Sequence, residues 1–516
     1  MIRAGLIALS IACAAAAMPQ NQPAPRGQGS SDAFRGENGL VRAYQLILDA
    51  RFDALDTELR RACGPAPVEA CQVLEATALW WRIQLDPDSR ALDDEFSAAA
   101  DRAITATEAW VEREPDDAEA WFYVGGAYAA RVQWRVLREE RLAAARDGKR
   151  IKEALEKSLE LDPDLDDAYF GIGMYRYYAD VAPTAARILR FLLLLPGGDR
   201  REGLAQMLRA RSEGRLLQGE ADYQLHIIYL WYEHQTPRAL ELLRGLQKRH
   251  PTNPLFLSQI AEIQDVYEHD ITASLESWRA LLAQARVRRV QYAELAEVRA
   301  RLAIAHHLDA LALTDDAIDE LERVIALEPD APHGALALAY LRLGEAHDRL
   351  NSRQDALAAY QQAATYAPGV DPLNIKRDAA EHMRKAPNPR HTEAFRLALA
   401  GWRALERKDT TAAASSLERA LALNNRDPVA RYRYGRVLEA RRDDRAALVE
   451  FEHAIREARN APAPIIGDAF LEVGRIHERA GRRKEAIAAL ESASSLFGAS
   501  AETHLAASRA LARLLK

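Results

Sequence analysis

The chain has 516 residues, of which 48% are hydrophobic and 28% charged, and its formal net charge is −7. That balance excludes wholesale disorder and a polytopic membrane protein, and without a long basic run it excludes a phosphate-tracking surface, so nucleic acid is not an expected partner. Aromatics are only 7%, and the dominance of alanine, leucine, arginine and glutamate, which lose little rotamer freedom in a helix, predicts an all-α protein. Only nine of the 69 basic residues are lysine; this excess of arginine reflects composition and is given no functional weight.

At the amino terminus, Met1 to Arg3 carry positive charge, Ala4 to Ala12 are apolar, and Ala14 to Ala17 supply the small residues of a cleavage site. Residues 1–17 therefore read as a secretory signal peptide, and the Pro- and Gly-rich stretch 18–37 as a flexible linker. The run Ser10, Ile11, Ala12, Cys13 resembles a bacterial lipoprotein processing site, with Ser10 where leucine is usual. Cys13 is thus a candidate for lipidation, and such an anchor is the only membrane attachment expected. No later segment reaches the roughly 20 apolar residues of a membrane helix. The greasiest run, Ile188 to Leu195, is short and contains Arg190. The expected location is exported, periplasmic or secreted, with a membrane tether if Cys13 is modified.

Residues 38–115 read as an irregular helical region. Within it Cys63 and Cys71 flank Gly64-Pro65-Ala66-Pro67, which must end one helix and start another. In an oxidising compartment two thiols across a helical turn can join, so a disulfide is expected; the alternative is two half-buried thiols that never meet.

From residue 116 a repeat emerges, divergent and aromatic-rich over 116–285 and more regular over 286–500. Trp121, Val124, Gly125 and Tyr128 open it, and Tyr169, Ile172 and Gly173 follow the stop at Asp162-Pro163. Between Gly125 and Ile151 the spacing is fourteen residues too long, which predicts extended helices or a longer loop. The segment Phe191 to Gly203 is not a repeat; its leucine run reads as a buried helix end, Gly197-Gly198 as a turn and Asp199 as a helix cap. Farther on, Ile227 to Pro251, Ala261 to Ala280 and Ala305 to Pro329 keep a common register. Gly344 is followed by Ala356, Tyr360, Ala363 and Pro368 at offsets of 12, 16, 19 and 24, and the same offsets recur from Gly401, Gly435 and Gly474. Residues 370–390 hold a helix but no full repeat, and 501–516 read as a capping helix. Small residues at these offsets let two antiparallel helices approach closely, and a large residue between them fills the space beyond the crossing.

This pattern resembles the tetratricopeptide repeat. The resemblance implies an α-solenoid of antiparallel helix hairpins, and a protein or peptide partner on the concave face lined by first-helix positions 2, 5, 9 and 12. Those positions hold Phe122, Phe170, Met174, Tyr177, Ile228 and Trp231 in the amino-terminal half, and charged residues including Arg436 and Arg475 in the carboxy-terminal half. Aromatic and methionine side chains are common interface anchors. The opposing reading buries those aromatics against residues 38–115.

Little points to catalysis. The Gly pairs at 125–126 and 197–198 lack the Lys and Ser/Thr of a phosphate loop, and there is no zinc-ligand spacing. The adjacent His306 and His307 should point about 100° apart and not share an ion. Glu450 and His453 have metal-ligand spacing without a matching pair. Neither cofactor nor metal is expected. The resulting expectation is a non-catalytic scaffold for protein or peptide partners in the bacterial cell envelope. The alternatives are a small-ligand or glycan-binding module using the aromatic groove, or an enzyme with a site in the irregular amino-terminal third.

Overall fold

The computed structural model describes residues 33–181 and 197–516. The expected signal sequence, Cys13, most of the linker and the leucine run at 188–195 lie outside the described residues. Among the described residues there are 24 α-helices and no strand. The first eleven are α1 (Glu37–Leu48), α2 (Phe52–Ala62), α3 (Val68–Leu85), α4 (Asp93–Arg113), α5 (Ala118–Leu137), α6 (Arg141–Leu161), α7 (Ala168–Val181), α8 (Arg200–Glu213), α9 (Gln218–Trp231), α10 (Thr236–Arg249) and α11 (Pro254–Val266). None of the helices among the described residues is long and apolar enough to cross a membrane.

Successive helices pair as antiparallel hairpins, and each hairpin packs on the next, which makes an α-solenoid. The hairpin boundaries follow from local chemistry. Asp427 accepts from the backbone N–H of Val429 and Ala430 at 2.9 and 3.0 Å, and Pro428 occupies the first helical position, where its missing N–H costs nothing. Asn253-Pro254 and Asn388-Pro389 start helices in the same way. Asp199 caps α8 through Arg201 and Glu202, as expected. The fourteen extra residues after Gly125 lengthen α5 and α6 to 20 and 21 residues; the loop between them stays short.

At each crossing the small residue meets a large one. A Cβ on Gly435 would lie 2.6 Å from the Phe451 ring, and one on Gly344 2.5 Å from the Tyr360 ring. Both rings are buried, flanked by Ala447 and Ala454 or by Ala356 and Ala363. The helix at Ile375–Arg384 adds no hairpin of its own; it buries Ile375 and Ala379 against Leu341 and Tyr360. The last helix, Ala501–Leu514, covers Leu471 and Leu490.

Contacts between successive windings tie the superhelix together. Asp86, just after α3, accepts from the backbone N–H of His333 at 2.9 Å. Arg403 donates to Asp315 and Asp316 at 2.6 Å each, Arg433 donates to the Ala312 carbonyl at 2.7 Å, and His269 stacks edge-on against Phe497. The amino-terminal half is packed differently. One continuous apolar core runs from Phe34 to Ile263, whereas beyond Ala261 the core divides into smaller clusters around neighbouring hairpins.

Replacing Gly435 by valine drives two methyl groups into Phe451. The expected loss is about 1–3 kcal/mol, the usual cost of overpacking, read as a lower urea midpoint of the full chain. Gly148→Ala, where an added Cβ meets nothing within 4 Å, is the matched control and leaves the midpoint unchanged or slightly raised.

Candidate functional site

The irregular amino-terminal region builds a floor for the first repeats. Cys63 and Cys71 are joined, with Cα atoms 6.1 Å apart, and hold the end of α2 beside the start of α3. Ahead of α1, Phe34 packs on Phe122 at 4.9 Å and Arg35 donates through Nε to Glu119 at 2.7 Å. At the other end of α1, Asn253 donates to the Leu48 carbonyl and Thr252 to the Asp49 carbonyl, both at 2.8 Å, while His250 Nδ1 lies 2.9 Å from Asp49. Helix α1 is thereby held between α5 and the turn that precedes α11.

At the centre of this arrangement sits a fully buried carboxylate. Glu220 accepts from Tyr44 Oη at 2.8 Å, Trp81 Nε1 at 3.0 Å and Gln224 Nε2 at 3.1 Å. Burial pushes its pKa up, and these three hydrogen bonds oppose the shift. Asp167, also buried, accepts from the backbone N–H groups of Arg215, Leu216 and Leu217, which likewise oppose an upward shift caused by burial. Both acceptors are satisfied within the protein, so neither is free to bind a polar ligand.

Above them lies a cavity of about 610 Å³ between α3, α5, α6 and α7. Its walls are mostly apolar: Phe122, Phe170 and Met174 line it, together with a stripe along α6. The volume is typical of small-molecule sites, and so is a wall of apolar groups with few polar ones. The Tyr123 hydroxyl at its inner end is buried and has no partner among the described residues. Next to the cavity, Tyr177, Tyr178 and Tyr232 form an edge-to-face cluster with centroids 5.5–6.0 Å apart, and the neighbouring Trp231 is 44% exposed.

The sequence-based groove candidates therefore divide. Phe122, Phe170 and Met174 face the cavity, and Trp231 faces solvent. Tyr177 and Ile228 are core residues, at 0% exposure, and do not belong to a groove; the repeat position predicts which way a side chain points but not that another helix covers it. Arg436 and Arg475 are not free cations, because both turn toward the buried Glu472, Arg475 at 2.7 Å and Arg436 at 3.9 Å, and Arg436 also faces Glu439 at 3.4 Å. Glu450 is held by Arg431 at 2.6 Å. The expectation that His306 and His307 stay apart is corrected: their ligand atoms and a carboxylate oxygen of Asp265 lie within 4.8 Å of one another. Two neighbours occupy ring nitrogens there, Arg342 on His306 at 3.0 Å and Ser274 on His307 at 2.8 Å, and the guanidinium opposes a cation at this spot. Residues that the sequence reading missed are Glu220 and the α6 stripe. The stripe's signal was the overlong spacing between Gly125 and Ile151.

The pair of helices at 338–369 matches the family model described as tetratricopeptide repeat. A comparison with curated proteins finds no match. Among solved structures the chain is similar to YrrB, described as a TPR protein with an unusual peptide-binding site, with 18% identity over 41% of this chain and 90% of that one and a TM-score of 0.20. It is also similar to the TPR2AB domain of yeast Sti1 in complex with pHSP90, with 14% identity over 58% and 99% and a TM-score of 0.21. The third similarity is to Cut9–Hcn1 of the APC/C, with 14% identity over 92% and 90% and a TM-score of 0.25. Scores of this size carry no inference about what this chain binds.

Close to the Glu220 network, His226 is buried against Tyr223 at a centroid distance of 4.8 Å, and burial lowers its pKa to about 3. An unfolded imidazole titrates near 6.5. The unfolded chain therefore gains a proton that the native state refuses, and stability present above pH 6.5 is lost as pH falls from about 6.5 toward about 3. Removing the imidazole in His226→Gln cancels this term. Between pH 7 and pH 5 the stability difference between wild type and variant, from urea midpoints, should move by about 2 kcal/mol in the variant's favour.

Proposed function

We propose that this chain, a tetratricopeptide-repeat protein, is a non-catalytic scaffold that holds a protein or peptide partner in the bacterial cell envelope. The observation that carries the reading is the exposed aromatic edge at the end of α9, where Trp231 and Tyr232 remain open to solvent on a rigid hairpin. Rigid aromatic side chains with little entropy to lose are the usual anchors of protein interfaces. The carboxy-terminal candidates suit this role less well, since Arg436 and Arg475 both turn toward Glu472 within the chain.

Export is the location that best accommodates the Cys63–Cys71 bridge, together with the charged, apolar and small-residue segments of the first 17 residues. The mature chain then begins near Met18, or at Cys13 with a lipid attached. A glycan is a poor fit to the cavity, because sugars need several free donors and acceptors and the buried carboxylates are already engaged. An apolar small ligand fits better.

The scaffold reading is tested with the partner recovered from the native envelope. The double variant Trp231→Ala, Tyr232→Ala should fold normally and lose binding by about 2 kcal/mol or more, the size of a hot spot. Tyr177→Ala should instead lose about 3–5 kcal/mol of stability, as buried aromatics do. Unchanged affinity of the folded double variant rejects the aromatic edge as the interface. Intact-mass analysis of the exported protein reads the processing, and a product that retains Met1 rejects export.

A further inference from the structure

The cavity has a direction. Its stripe on α6 starts at Arg141 and Leu142 and continues through Ala145, Gly148, Ile151 and Leu155, which follow Leu142 in steps of three and four residues along one helical face. Fourteen residues at 1.5 Å rise make this wall about 20 Å long. Burial grades along it: Arg141 and Leu142 are exposed, Gly148 is half-buried, and Ile151 and Leu155 are buried. Space along the middle comes from the small residues that line it, Gly126 and Ala129 on α5 and Ala145 and Gly148 on α6. A Cβ at Gly148 would meet nothing within 4 Å. The space is thus a long, narrow apolar slot, open at the end where α6 begins.

The two ends differ in charge. At the inner end lie the carboxylates of Asp167 and Glu220, engaged by internal donors and hostile to an anion; the single neutral hydroxyl of Tyr123 does not offset them. At the outer end stands one guanidinium. The three arginines nearest before it are paired: Arg131 and Arg135 with Asp147 at 2.9 and 2.6 Å, and Arg138 with Asp93 at 2.7 Å. Glu140 is drawn to Arg135 at 3.6 Å. Arg141 has no ion pair and no side-chain hydrogen bond among the described residues.

We infer that this slot binds a single long-chain carboxylate, its acyl tail lying along α6 toward Leu155 and its carboxylate at the mouth on Arg141. An extended chain matches a slot of this length, an anionic head matches the unpaired guanidinium of Arg141 that lines the mouth, and the charge at the inner end fixes the orientation as tail first. The inference goes beyond the scaffold reading and does not depend on the aromatic edge.

The test is calorimetric titration of the full mature chain with straight-chain carboxylates of about ten to fourteen carbons, each below its aggregation threshold, where every further buried methylene adds about 0.8 kcal/mol, roughly fourfold in affinity. Saturable one-to-one binding that tightens steeply with chain length is expected. Gly148→Leu, whose Cβ enters open space and whose side chain occupies the middle of the slot, should abolish binding while the thermal melt stays at or above that of wild type. Arg141→Gln should weaken the carboxylates at least about fivefold, a charge-assisted contact being lost, and leave the methyl ester of the same chain unaffected. Absence of saturable heat with every chain length overturns the inference, as does binding that Gly148→Leu leaves intact. Unchanged partner affinity of the Trp231→Ala, Tyr232→Ala variant, with acyl binding retained, rejects the aromatic-edge reading alone.

Discussion

How closely two antiparallel helices can approach decides most of this structure. Where the first helix of a hairpin carries glycine, the second can place a whole ring or leucine in the vacated space: Tyr360 over Gly344, Leu417 over Gly401, Phe451 over Gly435, Leu490 over Gly474. Interiors are packed at crystal density, so the fit tolerates neither a larger residue on one side nor a smaller one on the other. Each hairpin that closes in this way still leaves an apolar back, which only the next hairpin can bury. The carboxy-terminal clusters, each centred on one or two hairpins, follow from that nearest-neighbour rule.

The amino-terminal half obeys the same rule with an added part. Helix α1 contributes Leu40, Ala43, Tyr44, Ile47 and Leu48 to a core shared with residues as distant as Phe256. Burying Glu220 there is unfavourable in itself, but its three donors come from α1, α3 and α9, so the carboxylate is satisfied only when all three elements are in place. Arginine serves an analogous purpose farther along the chain. Arg301 bridges Glu297 and Glu320, and Arg403 bridges Asp315 and Asp316 from 88 residues away. An excess of arginine that says nothing of phosphate recognition is well used as planar, many-handed bridges between helices.

What could be read from the residues, and what could not, follows from the range of the forces involved. Gly435 and Phe451 are sixteen residues apart and touch directly, so their spacing encodes the crossing. Asn253-Pro254 and Asp427-Pro428 act on the backbone beside them and mark boundaries just as locally. Tyr177 and Ile228 occupy concave positions by register, yet what covers them is distant in sequence, and no repeat pattern carries that information. Glu472 similarly draws in Arg436 from 36 residues away. For His306 and His307 the helical angle sets only the Cα–Cβ directions; rotation of two long imidazoles brings their rings to 5.7 Å, near Asp265.

The slot lies where the repeat is least regular, and the physical reason is simple. A hairpin of standard length closes on itself over two alanines and a large residue, and no room remains. Helices α5 and α6 continue beyond that crossing, and the added turns carry Ala129, Ala145 and Gly148 where a closed hairpin would place leucine or a ring. Apolar surface left without a partner forfeits dispersion and hydration free energy, which a sequence selected for stability alone would recover by a single enlarged side chain. A Cβ at Gly148 would meet nothing within 4 Å and would even favour the helix. An opening that a larger side chain at one position would narrow marks a place where local rules of stability yield to the ligand inferred for it.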